Sequence, residues 1–306
     1  MKALLKYGGP LLLALGATAC VEPEDKPSRV YDFRVLGVAT EKPEILAPSC
    51  DLEEAREVAE QAVSYRALLA DPAGEGRPIQ YTLWACADTD DRTCADGANR
   101  ELLAEGTTGP GELVLSIRPG AAKAADGTPL LVRVQEKDVY RGLGGLRMPL
   151  VLHAVAGDEE VYAMKLMVFW CPIVEGMTEN VQPVIPGLRL DEAPWDPEVV
   201  TELSGPGPFV VEAEDVTLLQ ETYVVPGLRL NAVTLQESWE ISWHATLGEF
   251  GPQETGGSDF GGQQGRHRTE WEPPEGAQAQ EVTFWAVVRD GRGGSSWLVR
   301  RARWTP

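Results

Sequence analysis

Histidine is scarce in this 306-residue chain: there are three, His153, His244 and His267, and none lies near a cysteine. Zinc centres built from His and Cys at short fixed spacings are thereby excluded. Basic residues are also few, 27 Lys and Arg against 47 Asp and Glu. Lys2 and Lys6 precede residue 20, so a chain starting there keeps 25 basic residues against 47 acidic ones, a net charge near −22. That charge repels phosphate backbones and excludes nucleic acid as a partner. Long apolar runs are missing too; Leu11–Leu15 is too short to span a bilayer. Catalytic motifs fail one by one. Asp259-Phe260-Gly261 has no Gly-rich loop or catalytic-loop triplet to accompany it. Gly256–Phe260 places Phe260 where a nucleophile elbow needs glycine, and Gly142–Arg147 begins like a dinucleotide loop but lacks the third glycine. There is no His-Glu-x-x-His, and no residue set implies a cofactor.

What is present begins with residues 1–19, MKALLKYGGPLLLALGATA. Lys2 and Lys6 form a positive segment, Leu11–Leu15 an apolar one, and Ala17-Thr18-Ala19 a small-residue cleavage site, the pattern of a secretory signal peptide. Small residues running into Cys20 resemble the lipobox of bacterial lipoproteins, although Ala17 stands where that family prefers Leu. The resemblance implies cleavage before Cys20 and acylation of its thiol, so the membrane is a partner through a lipid anchor. Val21 stands where Asp would signal inner-membrane retention, so the implied location is the outer membrane. Residues 20–29, with two prolines and several charges, read as an acidic tether, and 30–172 follow as a first domain.

With Cys20 acylated, four cysteines remain, an even number in an exported chain, and two disulfides are expected. Cys86 and Cys94 flank the turn-rich loop ADTDDRT and are paired on that ground; Cys50 and Cys171 pair by elimination. Asp88, Asp90 and Asp91 crowd this loop, with Asp96 just beyond it. Their spacing suggests calcium ligation, but Arg92 and Thr93 break the EF-hand pattern, so no metal is assigned. A loop pinned by a disulfide loses little entropy on binding, which makes Asp88, Asp90 and Asp91 the candidate interaction site, for a basic partner or a cation.

Period-two alternation bounded by Pro, Gly and Asp predicts strands at 63–70, 79–86, 111–117, 129–135, 149–155 and 161–169, and one in YDFRVLGVA. Residues 50–63, free of Gly and Pro, predict one short helical insertion, with Ser49 as its cap. A linker is placed at 173–182 and a second domain at 183–306. There ESWEISWHATL alternates cleanly, putting Trp239 and Trp243 in a core, and EVTFWAVVRDGRGGSSWLVRRARW forms a hairpin. Trp195, Trp271 and Trp297 are less clearly buried and leave a glycan platform open; Arg289, Arg292, Arg300, Arg301 and Arg303 form the basic cluster. Residues 248–268 read as a long mobile loop. VIPGLRL (184–190) and VVPGLRL (224–230) suggest two equivalent edge segments or a coincidence. SWHATLGEF, a Trp271-x-x-Pro274 and FWAVVRDGRGG resemble the Ig-like and PKD-like domains of bacterial surface lipoproteins. The fold expected is therefore all-β, two tandem Ig-like antiparallel β-sandwiches. The function expected is a non-enzymatic envelope scaffold or binding and adhesion module with an envelope protein partner; the alternatives are an extracytoplasmic hydrolase or a glycan-binding protein.

Overall fold

The structure, a computed structural model, describes residues 27–140, 142–256 and 267–306. The signal peptide, Cys20 and the tether as far as Lys26 lie outside the described residues, as do Asp259-Phe260-Gly261 and the rest of 257–266.

The fold is mostly β. Arg34–Thr40 (β1), Glu44–Leu46 (β2), Val63–Ala70 (β3), Ile79–Cys86 (β4), Arg100–Thr108 (β5), Gly111–Ile117 (β6), Leu146–Ala156 (β7) and Glu159–Trp170 (β8) form two sheets. Their strand orders are β1-β3-β6 and β2-β8-β7-β4-β5. The pairings are antiparallel except for β2 on β8. The inward rows meet between the sheets, where Tyr65, Leu69, Ile79, Leu83, Leu150, Leu152 and Met167 are buried.

The second half contributes Leu188–Leu190 (β9), Ala193–Pro194 (β10), Thr201–Ser204 (β11), Phe209–Ala213 (β12), Thr222–Pro226 (β13), Ala232–Gln236 (β14), Glu240–Ala245 (β15), Glu249–Gly251 (β16), Glu254–Gly256 (β17), Arg268–Glu272 (β18), Gln280–Arg289 (β19) and Ser295–Thr305 (β20). Sheets β10-β9-β12-β18-β16 and β11-β20-β19-β15-β17 pack face to face, with β11 parallel to β20. Aromatic rings fill this second core: Phe284 meets Trp271 edge-on at 5.0 Å and Trp195 at 5.1 Å. β13 and β14 form a separate two-stranded ribbon.

A third cluster joins the two sandwiches. Leu36, Ala39, Leu68 and Ala70 from the first meet Trp285, Val287 and Trp297 from the second, all buried. The chain is also bound at its described beginning. Val30 N donates to Ala245 O and Ala245 N to Ser28 O, each at 2.8 Å, so residues 28–30 run parallel to the end of β15 beyond the point where β17 stops. Ser28 and Val30 are buried. The last part of the expected tether, 27–29, is therefore a strand-like insertion into the second sandwich, because its backbone completes an open sheet edge.

Several expectations require correction. Residues 129–135 are not a strand: Leu130–Lys137 is a helix (α2, following α1 at Leu52–Ala59). Leu130, Val132 and Val134 alternate, but Leu130 and Val134 share a helix face and are buried, whereas Val132 is exposed. Among the described residues there are thus two α-helices where one helical insertion was expected. α1 is shorter than 50–63, and Asp51 caps it by accepting from Glu53 N and Glu54 N; Ser49 instead donates to Glu54. The loop 248–268 contains β16, β17 and the start of β18. The two VxPGLRL segments are not equivalent. In the first, Leu188 and Leu190 are buried core residues of β9; in the second, the same letters form the exposed tip of the β13–β14 ribbon. The 173–182 stretch is fastened down, with Asn180 buried and Gln182 bridging Ser295 N and Thr40 O.

Candidate functional site: the cleft between the sandwiches

The β19–β20 turn, Asp290-Gly291-Arg292-Gly293-Gly294, reaches from the second sandwich into the first. Gly291 and Gly293 have φ of 78° and 104°, where a side chain is strained. Asp290 holds the turn by accepting from Arg292 N at 2.7 Å and Gly294 N at 2.8 Å, and it accepts from Asn180 Nδ2 at 2.7 Å. The turn delivers Arg292 to three carboxylates: Glu44 at 2.6 Å, and Glu221 and Glu237 each at 3.4 Å. Its guanidinium lies 4.0 Å over the Tyr223 ring. Trp170 Nε1 donates to Glu44, and Trp239 Nε1 to Glu237, both at 2.9 Å.

Lys165 on β8 is buried beside this network, donating to Leu166 O at 2.7 Å and Pro43 O at 3.2 Å. Burial pushes its amine down to about 8, against the pull of Asp290 and Glu44. Burial raises the carboxyls of Glu44 and Glu237, only partly offset for Glu44 by Arg292. Four carboxylates thus face two cations, with Glu44, Glu237, Asp290, Arg292 and Lys165 largely shielded from water and Glu221 at the rim. The arrangement staples one sandwich to the other.

Beside the staple lies a cleft of ≈340 Å³, walled by Trp170, Leu166 and Val168 on one side and by Tyr223, Val224 and Val225 on the other. Glu44 is its one acidic wall residue, already bonded to Trp170 and Arg292. A second groove of ≈450 Å³ shares Gly144, Arg147, Trp170 and Val225 with it and opens toward Tyr140 and Pro226. The loops at this mouth expose apolar side chains: Val139 (83%), Tyr140 (65%), Leu228 (89%) and Leu230 (61%). Exposed apolar side chains are thus concentrated in the two segments that follow and precede these groove residues.

The candidates read from the sequence fall elsewhere. Both disulfides, Cys86–Cys94 and Cys50–Cys171, are formed. The acidic tip is largely used to hold itself together. Asp88 accepts from Asp90 N at 3.0 Å and Lys137 Nζ at 2.6 Å, which hold its carboxyl below the usual range. Asp91 accepts from Thr93 N, Thr93 Oγ1 and Asp96 N. Asp90 contributes its backbone and leaves its carboxylate exposed. Among the described residues, no group of three or more His, Cys, Asp or Glu has metal-ligand geometry. Trp195, Trp271 and Trp297 are all buried, and Arg66 covers the Trp297 ring at 4.9 Å, so none of the three is an exposed stacking platform. The basic cluster disperses: Arg292 enters the staple, Arg300 is buried on Trp195 O, and Arg301 and Arg303 face Glu281 and Glu202. The histidines have structural partners: His153 stacks on Tyr162, His244 donates to Pro27 O at 3.1 Å, and His267 bonds Thr255.

Sequence reasoning missed Glu44, Glu221, Glu237 and Lys165. Only Lys165 left a signal, as a cation in the inward row Val161, Ala163, Lys165, Met167, Phe169.

No protein-family model and no curated protein matches the chain. Among solved structures it aligns with Escherichia coli α2-macroglobulin activated by porcine elastase, at 8% identity and a TM-score of 0.27, over 92% of this chain and 22% of that one. It aligns with the periplasmic chaperone SfaE at 10% identity and 0.27, over 88% and 99%. A chimeric titin Z1Z2 tandem gives 7% and 0.24, over 90% and 100%. The chain spans about a fifth of the macroglobulin's length. The assignment to β-sandwiches rests on the chain's own sheets.

Proposed function

We propose that this chain is a lipid-anchored envelope protein, held through Cys20, that acts as a non-enzymatic binding module or scaffold. The observation that carries this reading is the polarity of the body. Pro27 sits within reach of Arg34 and His244, at the end of the first sandwich where Glu159 begins β8 and bonds Phe33 N. The cleft mouth lies at the other end, where Leu146 pairs with Phe169. The eleven paired residues of β7 separate the two ends by about 35 Å. A membrane tie at Cys20 therefore leaves the apolar mouth pointing away from the bilayer, toward another envelope component.

Two experiments test it. Cys20→Ala should release the protein from the membrane fraction; unchanged attachment would remove the anchor. In a pull-down from solubilised envelope, Tyr140→Ser with Leu228→Ser should lose a stoichiometric partner that the wild type recovers. If that pair still binds while Asp88→Asn with Asp90→Asn and Asp91→Asn does not, the acidic tip is the binding end.

A further inference from the structure

A two-stranded ribbon is marginal in water unless a third strand or another body covers it. In the β13–β14 ribbon β13 is the covered strand: Tyr223, Val224 and Val225 line the cleft, with the Tyr223 ring under Arg292 and Val224 beside Gly176. The other edge, β14, pairs with β13 alone and is mostly exposed. Edge strands are ordinarily guarded by charge or proline against pairing with another chain. Among the described residues the other edges follow the rule: β1, β5, β6, β11, β16 and β17 each carry a charged residue and β10 and β13 a proline, while the one charge of β2, Glu44, is held in the staple. β14 reads Ala-Val-Thr-Leu-Gln and carries neither.

We infer that β14 is a self-association edge whose occupant is β14 of a second copy, paired antiparallel about a two-fold axis through Thr234. The sequence is self-complementary in that register. Thr234 meets Thr234 of the other copy, and Val233 meets Leu235 in both directions. Val233 and Leu235 share a face with their own partners Val225 and Tyr223, so pairing extends one apolar strip across four strands. Such an interface is isologous and closes on itself. A five-residue edge buries little area, so the dimer is weak, with dissociation in the range of about 10 µM to 1 mM. The high negative charge of each copy opposes it, and salt that screens this charge strengthens it. The inference stands on the ribbon edge and does not need the lipid anchor.

The test uses the full mature chain carrying Cys20→Ser, which stays in solution. Sedimentation equilibrium should show a monomer–dimer equilibrium that shifts toward dimer in 1 M salt, and Thr234→Lys should abolish it. Under mild oxidation Thr234→Cys should cross-link at least tenfold faster than Ala232→Cys. Residues 234 of the two copies face each other at about 5 Å, whereas residues 232 lie about 13 Å apart. A chain that stays monomeric up to about 1 mM, or equal cross-linking at both positions, would overturn the inference. Loss of the envelope partner with dimerisation intact would instead count against the binding role of the cleft mouth alone.

Discussion

Lys165 shows what the staple demands of single residues. Its amine titrates near 8 in the folded chain and near 10.5 in the unfolded one, so the folded state holds fewer protons between those values. Stability should therefore rise as pH climbs from 8 to 10.5, by up to roughly 3 kcal/mol. Thermal unfolding across that window checks it, and Lys165→Met should remove the slope. His244 acts in acid. Burial, with Arg289 and Arg34 nearby, pushes its ring down to about 4. The unfolded chain takes up the proton first, so this contribution is present above 6.5 and is lost as pH falls toward 4. His244→Asn should flatten that fall, read as the difference from wild type because Glu44 and Glu237 titrate in the opposite sense. Arg292→Met leaves three carboxylates facing one another and should lower stability by about 3–5 kcal/mol in chemical denaturation. At this scale the sequence was nearly silent. Lys165 betrays itself by interrupting an apolar row, but Glu44 and Arg292 lie 248 residues apart, and no local pattern joins them.

Among the elements, the repeated VxPGLRL offers a controlled comparison. Leu188→Ala removes a buried side chain from β9 and should cost about 2–5 kcal/mol. Leu228→Ala, with the same neighbours in sequence, sits at an exposed ribbon tip and should change stability by less than about 0.5 kcal/mol. Equal losses would mean that the ribbon tip is packed. The contrast also explains which elements were readable. Strands 63–70, 79–86 and 111–117 follow from alternation alone, because each buries one face in a thick core. α2 was misread because alternating Leu130, Val132 and Val134 fit either period over so few residues. β9–β12 were illegible because two to five residues carry too short a pattern. The acidic tip looked free because its charges are visible in sequence while the N–H groups they accept from are not. Asp88→Asn with Asp91→Asn should therefore lower the melting temperature, each lost contact being worth about 0.5–1.5 kcal/mol.

Across the whole molecule, the two sandwiches form one body. The buried Trp285–Trp297 cluster, the Arg292 staple, the fastened 173–182 stretch and the insertion of residues 28–30 all join surfaces that a flexible tandem would leave wet. That rigidity fixes the position of the cleft mouth relative to Pro27, where the described chain begins. Scanning calorimetry tests it most directly. Residues Pro27–Pro306 unfolding together should give one transition near 60 °C whose calorimetric and van't Hoff enthalpies agree at about 200 kcal/mol. Two transitions of about 100 kcal/mol each would show that the sandwiches melt independently, and would contradict a single body.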